Sequence, residues 1–141
     1  MAGKISFQSL INGFTVRNKR NISQWLSYVV DNEGLTLGEV AIVCCSDDYL
    51  LEVNRNFLNH DYFTDIITFD YTDNQVVSGD LMISIDRIRD HAKKYEVSVE
   101  DELHRVMVHG VLHLCGYKDK RKSDKELMTS KENHYLKKRT F

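Results

Sequence analysis

The sequence predicts an α+β fold: a single domain over residues 1–141, with one mixed four-stranded sheet and helices packed mainly on one side. Three observations lead to this fold class. The chain has 141 residues, about the size of the commonest single domain. Its composition, 42% hydrophobic and 28% charged, is that of an ordinary globular protein. Strand-like and helical hydrophobic periods alternate in the first part, and the last third is helical throughout.

The first half of the chain alternates strands with helices. Residues 5–10 alternate apolar and polar side chains, which predicts a strand. Residues 21–30 carry apolar side chains at helical spacing, and Gly34 ends that helix. Residues 37–46 are rich in β-branched side chains and predict a second strand. A Ser-Asp-Asp sequence then caps a helix over 49–58.

The second half begins with two further strands. Residues 66–71 and 80–85 flank a polar turn over 72–75, which favours a hairpin-like pair. Three helices follow, predicted over 88–95, 99–114 and 124–136. Together these elements complete the predicted four-stranded sheet and its helical layer.

Charge and cysteine content exclude several classes of protein. The chain has 19 basic and 21 acidic residues. Its overall charge therefore gives no indication of a nucleic-acid partner. Its apolar runs are too short to span a membrane, and the first residues lack the apolar core of a signal peptide. Cys44 and Cys45 are adjacent in a strand-like run, so the three cysteines are predicted to be reduced in a cytoplasmic protein.

The helix over 99–114 carries the most informative pattern. His109 and His113 lie one turn apart on one face, which is the spacing of two metal ligands. Gly116 can leave the helix in a left-handed conformation, and Asp119 can then close on the same point. We therefore predict a zincin-like metal helix. It holds one zinc per chain through His109, His113 and Asp119, with a metal-bound water at the open position.

The alternative is that the two histidines only lie on a half-buried helix, because this spacing by itself does not require a metal. Gly116 and Asp119, which follow the two histidines, favour the interpretation as a metal site. The same spacing occurs in the long zinc motif of metzincin proteases, but Gly110 replaces the glutamate that serves there as general base. The general base of that route is therefore absent, and peptide hydrolysis by it is not expected. The remaining histidines lack ligand spacing and are predicted to be surface or capping residues: His60, His91, His104 and His134.

The segment His-Gly-Val-Leu-His-Leu-Cys-Gly-Tyr, residues 109–117, resembles the signature of the YbeY family of bacterial endoribonucleases and rRNA maturation factors. Residues 64–69 and 79–84 resemble two strand motifs of that family. The resemblance implies a zinc-dependent, single-strand-specific endoribonuclease that acts in 16S rRNA 3′-end maturation and ribosome quality control. It implies single-stranded RNA, an rRNA precursor and the small ribosomal subunit as partners.

Two departures from the family pattern bear on the site. Asp119 stands where the family usually has a third histidine, which predicts a weaker zinc site. Leu58 stands where the family has an arginine thought to help catalysis, and Arg55, one turn earlier, is a possible substitute.

Two further predictions concern catalysis and RNA binding. Asp80 is a candidate for proton transfer, with a structural cap as its alternative role. The basic residues beside the third ligand are predicted to contact RNA phosphates, with plain solvated surface as the alternative: Lys118, Lys120, Arg121 and Lys122.

Three functions stay open from the sequence alone. The first is the ribonuclease. The second is a ribosome assembly factor with a structural metal and little nuclease activity. The third is a small-molecule metallohydrolase.

Overall fold

A computed structural model describes residues 3–141 and contains the predicted elements in the predicted order. The strands are β1 (Lys4–Ser9), β2 (Thr36–Cys45), β3 (Ile66–Asp70) and β4 (Val76–Ser84). The helices are α1 (Lys19–Asn32), α2 (Asp47–Leu58), α3 (Ile85–Tyr95), α4 (Val99–Leu114) and α5 (Lys122–Leu136). None of the helices in this part of the chain is both long and apolar enough to cross a membrane.

The sheet is mixed, with the strand order β1-β2-β4-β3. β1, β2 and β4 run parallel to one another, and β3 is antiparallel to β4, which confirms the predicted hairpin. β4 begins at Val76 rather than at Asp80, because its first residues also pair with β2, starting at Thr36. Pairing with a partner distant in sequence extended this strand beyond its local hydrophobic pattern.

Serine side chains cap three of the helices, and the cap at Ser46 was predicted from the sequence. The hydroxyls of Ser46 and Ser98 accept backbone N–H bonds at the starts of α2 and α4. Ser84 does the same for α3, so that helix begins at Ile85, three residues before its predicted start. Each cap satisfies a donor that the first helical turn leaves unpaired.

The main core lies between one sheet face and the helices α1, α3, α4 and α5. α4 approaches the sheet closely because two glycines lie at the contact. A Cβ on Gly79 would lie 2.7 Å from a methyl carbon of Leu114, and one on Gly110 would lie 2.9 Å from Ile66 and Leu81. A smaller cluster of Cys45, Leu50 and Ile67 packs α2 on the opposite face. The helices are therefore mainly on one side, as predicted.

Candidate metal centre and adjoining cleft

His109, His113 and Asp119 meet at one point at the carboxyl end of α4. The Nε2 atoms of the two histidines are 3.0 Å apart. Asp119 Oδ2 lies 3.2 Å from His109 Nε2 and 3.4 Å from His113 Nε2. Within residues 3–141 these three form the group whose ligand atoms are close enough to share a metal ion.

A helix-ending turn brings Asp119 back to α4. Gly116 has φ = +108°, a conformation that residues with a side chain rarely adopt. The backbone N–H of Tyr117 donates to the carbonyl of Leu112 and that of Gly116 to His113, which is the pattern of a glycine-ended helix. The turn predicted at Gly116 is therefore confirmed.

The hydrogen bonds at the other ring nitrogens orient both imidazoles. His109 Nδ1 lies 2.6 Å from a carboxylate oxygen of Glu132 on α5, and His113 Nδ1 lies 2.9 Å from the carbonyl of Tyr117. Both partners are acceptors, so each Nδ1 carries the proton and each Nε2 presents a lone pair. When both rings are neutral, two lone pairs and a carboxylate oxygen then face one another. This donor set fits a divalent cation such as zinc.

The charges around His109 also favour a cation there. Burial alone would lower the pKa of His109, but the hydrogen bond and charge of Glu132 and the charges of Asp119 and Asp65 outweigh it. The pKa of His109 is therefore raised. A positive charge is stabilised at this point, whether it is a proton or a metal ion.

A partly buried carboxylate fixes the loop that carries the third ligand. Glu33, just after α1, accepts hydrogen bonds from the hydroxyls of Tyr117 and Tyr135 and from Lys131. Desolvation raises the pKa of Glu33, yet these three hydrogen bonds together bring it below its usual value. The same Tyr117 whose carbonyl holds His113 is thus anchored through its side chain.

An open cleft of about 890 Å³ adjoins the metal group along α3, α4 and α5. His109 and Glu132 line it together with Asp65, His91 and Tyr95. His91 lies between two carboxylates, 3.7 Å from Glu102 and 3.9 Å from Asp65. Sequence spacing gave no reason to place His91 or Glu132 in the site, because their neighbours there come from other elements.

The structure separates the predicted proton-transfer residue from the metal group. Asp80 follows Gly79, whose α-carbon faces α4, so Asp80 points to the opposite face of the sheet. There it lines a different groove and accepts a long hydrogen bond from the Tyr71 hydroxyl, 3.4 Å away. Its catalytic role stays a prediction that has no geometric support.

The other predicted residues lie as follows. The basic side chains beside Asp119 are all exposed: Lys118, Lys120, Arg121 and Lys122. Leu58 is partly exposed at the end of α2, and Arg55 forms an ion pair with Asp61.

The prediction that His104 is a surface or capping residue is wrong. Its ring is 5% exposed, packs against Trp25, and accepts a hydrogen bond from Arg139.

Comparisons with known proteins agree with one another. A family model described as "Endoribonuclease YbeY" matches residues 7–140. A curated endoribonuclease YbeY of Bacteroides thetaiotaomicron is 50% identical over 118 residues, which are 84% of this chain and 86% of the relative. The one of Flavobacterium psychrophilum is 47% identical over 133 residues, 94% of either chain. The solution structure of TM1509 from Thermotoga maritima aligns with a TM-score of 0.70 and 25% identity, covering 95% of this chain and 87% of that one.

Proposed function

The chain belongs to the YbeY family of endoribonucleases, and from this premise we propose that it is a zinc-dependent enzyme that cleaves single-stranded RNA. The observation that carries the proposal is the convergence of two oriented imidazoles and a carboxylate at the rim of an open cleft. We further propose that its substrate is a precursor of 16S rRNA, cleaved in 3′-end maturation and ribosome quality control. Its proposed partner is the small ribosomal subunit, and its proposed location is the cytoplasm.

His109, His113 and Asp119 would hold one zinc ion. Zinc bound there would stabilise negative charge on a phosphoryl oxygen and lower the pKa of a water. The protein's own residues fix the geometry of the ligands. Glu132 and the Tyr117 carbonyl hold the two imidazole planes, and Arg105, whose Nη1 donates to Glu132 over 2.9 Å, holds that carboxylate in place.

The shape of the cleft supports a single strand as substrate. An A-form duplex presents a broad helix that a groove in one small domain cannot enclose, whereas an unpaired strand can follow a cleft. The exposed cations beside Asp119, at positions 118 and 120–122, are proposed to contact the phosphates. They supply local positive charge in a chain whose net charge is −2.

Proton transfer is proposed to involve a group that faces the cleft. His91, between Asp65 and Glu102, lies on the same cleft wall as His109, whereas Asp80 lies on the other face of the sheet. An imidazole held between carboxylates can accept a proton and pass it on.

The test is cleavage of a short unstructured RNA and of a matched duplex by the purified full-length protein, with and without added zinc. We expect zinc-dependent cleavage of the single strand only, and no cleavage by the His113→Ala variant. Zinc binding at one ion per chain without cleavage of either RNA would instead favour the assembly factor with a structural metal. Equal cleavage by wild type and His113→Ala would contradict the proposed site.

A further inference from the structure

Two aromatic rings at opposite ends of α3 are open to solvent. Tyr95, the last residue of α3, is 57% exposed and lines the cleft together with His109. Phe63, in the loop before β3, is 45% exposed. Aromatic side chains offer a large contact area and are enriched where a partner covers the surface.

Each of these rings is accompanied by a cation from α3. The Arg87 guanidinium carbon lies 4.9 Å from the centre of the Phe63 ring, and Lys94 Nζ lies 5.5 Å from that of Tyr95. Arg87 is anchored by Asp47, with 3.1 Å between Nε and Oδ1, so it holds Phe63 in position. Lys94 is exposed, so its ammonium group is free to contact an anion in solution. A ring next to a cation suits a nucleotide, because the base can stack while the phosphate meets the charge.

A row of side chains on α3 connects the two rings. Arg87, His91 and Tyr95 follow one another at four-residue spacing, so they share one face of α3 over about 12 Å. His91 stacks obliquely on Tyr95, with centroids 5.9 Å apart, and contacts Asp65. Asp65 is two residues after Phe63, and the next residue, Ile66, meets α4 at Gly110, beside His109.

We propose that Tyr95 and Phe63 are stacking platforms for unpaired bases of the RNA strand, and that Lys94 contacts a phosphate next to Tyr95. This inference rests on the proposed function, because it assigns part of the substrate to a surface outside the metal group. It makes strand selectivity a property of these two rings, since bases in a duplex are already stacked and cannot reach them. It also gives the chain a means of binding RNA that does not depend on net positive charge.

The experiment measures binding of a short unstructured RNA by fluorescence anisotropy. Full-length protein carrying His113→Ala is used so that the strand stays intact. Tyr95→Leu and Phe63→Leu should each weaken binding about tenfold, because they remove a ring and keep an apolar side chain. Tyr95→Phe should retain the parent affinity. The matched control is Tyr28→Leu, which removes a 41% exposed tyrosine of α1 outside the cleft and should change nothing.

A second RNA separates stacking from other effects of the substitutions. On a strand of the same length with abasic sites, Tyr95→Leu and its parent should bind equally, because no base is left to stack. Lys94→Gln should lower the slope of log affinity against log salt by about 0.7, while Tyr95→Leu should leave that slope unchanged. Thermal unfolding of each variant shows that the fold is intact.

Two results would overturn the inference: unchanged affinity in both leucine variants, or an equal loss on the abasic strand. If zinc-loaded wild type cleaves single-stranded RNA and the leucine variants still bind like their parent, the stacking surface is refuted and the proposed function stands. If neither cleavage nor RNA binding occurs in the wild type, both are refuted.

Discussion

Two histidines on α4, five residues apart, are held in opposite electrostatic surroundings. His104 faces Arg139, whose guanidinium donates to its Nδ1 over 2.7 Å, and burial together with that cation lowers the pKa of His104 to about 4. His109 faces the carboxylates of Glu132 and Asp119, and its pKa is raised. The first ring is a neutral core residue, and the second presents a lone pair where positive charge is stabilised.

The comparison shows that the helix sets only the positions of these rings. The residues that give each ring its chemistry come from the loop after α4, from α5 and from the chain after α5. A histidine on a half-buried helix is therefore assigned to core or site by its partners rather than by its own exposure or spacing.

The largest effect is expected on zinc binding, when the two histidine ligands are removed and His104 is left unchanged. The double variant His109→Ala and His113→Ala should bind no zinc, whereas His104→Gln should keep one ion per chain. Elemental analysis after zinc reconstitution and dialysis measures both. Zinc retained by the double variant would place the metal elsewhere.

The second largest effect is expected on the pH dependence of the free energy of unfolding, which should distinguish His104 from His109. His104 has a folded-state pKa of about 4, below the ordinary 6.5, so its contribution is complete above pH 6.5. This contribution to the free energy of unfolding should be lost as the pH falls to about 4. The loss should be on the order of 2–3 kcal/mol. His109 in zinc-free protein has a raised pKa, so its contribution should be lost as the pH rises. Urea unfolding of wild type and His104→Gln between pH 7 and pH 4 checks this, and parallel curves would contradict it.

The partner of His109 can also be altered without touching a ligand. Glu132→Gln removes the charge that orients the imidazole, and zinc affinity should fall about 10- to 100-fold. Asn133→Ala is the control, because Asn133 accepts from the same Arg105 but does not contact His109. Competition titration with a chelator gives both affinities. An equal effect of the two substitutions would mean that Glu132 acts only through Arg105.

The smallest effect is expected from exchanging the third ligand. Imidazole is a better donor than carboxylate oxygen for zinc, so Asp119→His should tighten binding by up to about tenfold. The same titration measures it, with Lys120→His as a control for an added histidine on this loop. Weaker binding by the first variant would show that the turn at Gly116 is fitted to the shorter side chain.

The fold and the ligand pair were predictable because their signals are local. Hydrophobic period located every element, and His109 and His113 are one turn apart on a single helix. Glu132 and Arg139 were not predictable, since they lie 23 and 35 residues from the histidines they face. Asp80 was expected near the site, yet the two-residue period of β4 turns it away from α4. The orientation of Asp80 depends on which face of β4 packs against α4, and no sequence motif predicts that face.

The contact at Gly110 also limits how the protein can be redesigned. In the metzincin motif a glutamate follows the first histidine, and here that position is pressed against Ile66 and Leu81. A glutamate there would put a carboxylate into the core without a partner, at a cost of several kcal/mol. The metal group therefore cannot become a peptidase by adding this one residue, because α4 is rotated with that position inward. A designer who wants a second activity on this scaffold has to work from the cleft, where substitutions meet water instead of the sheet.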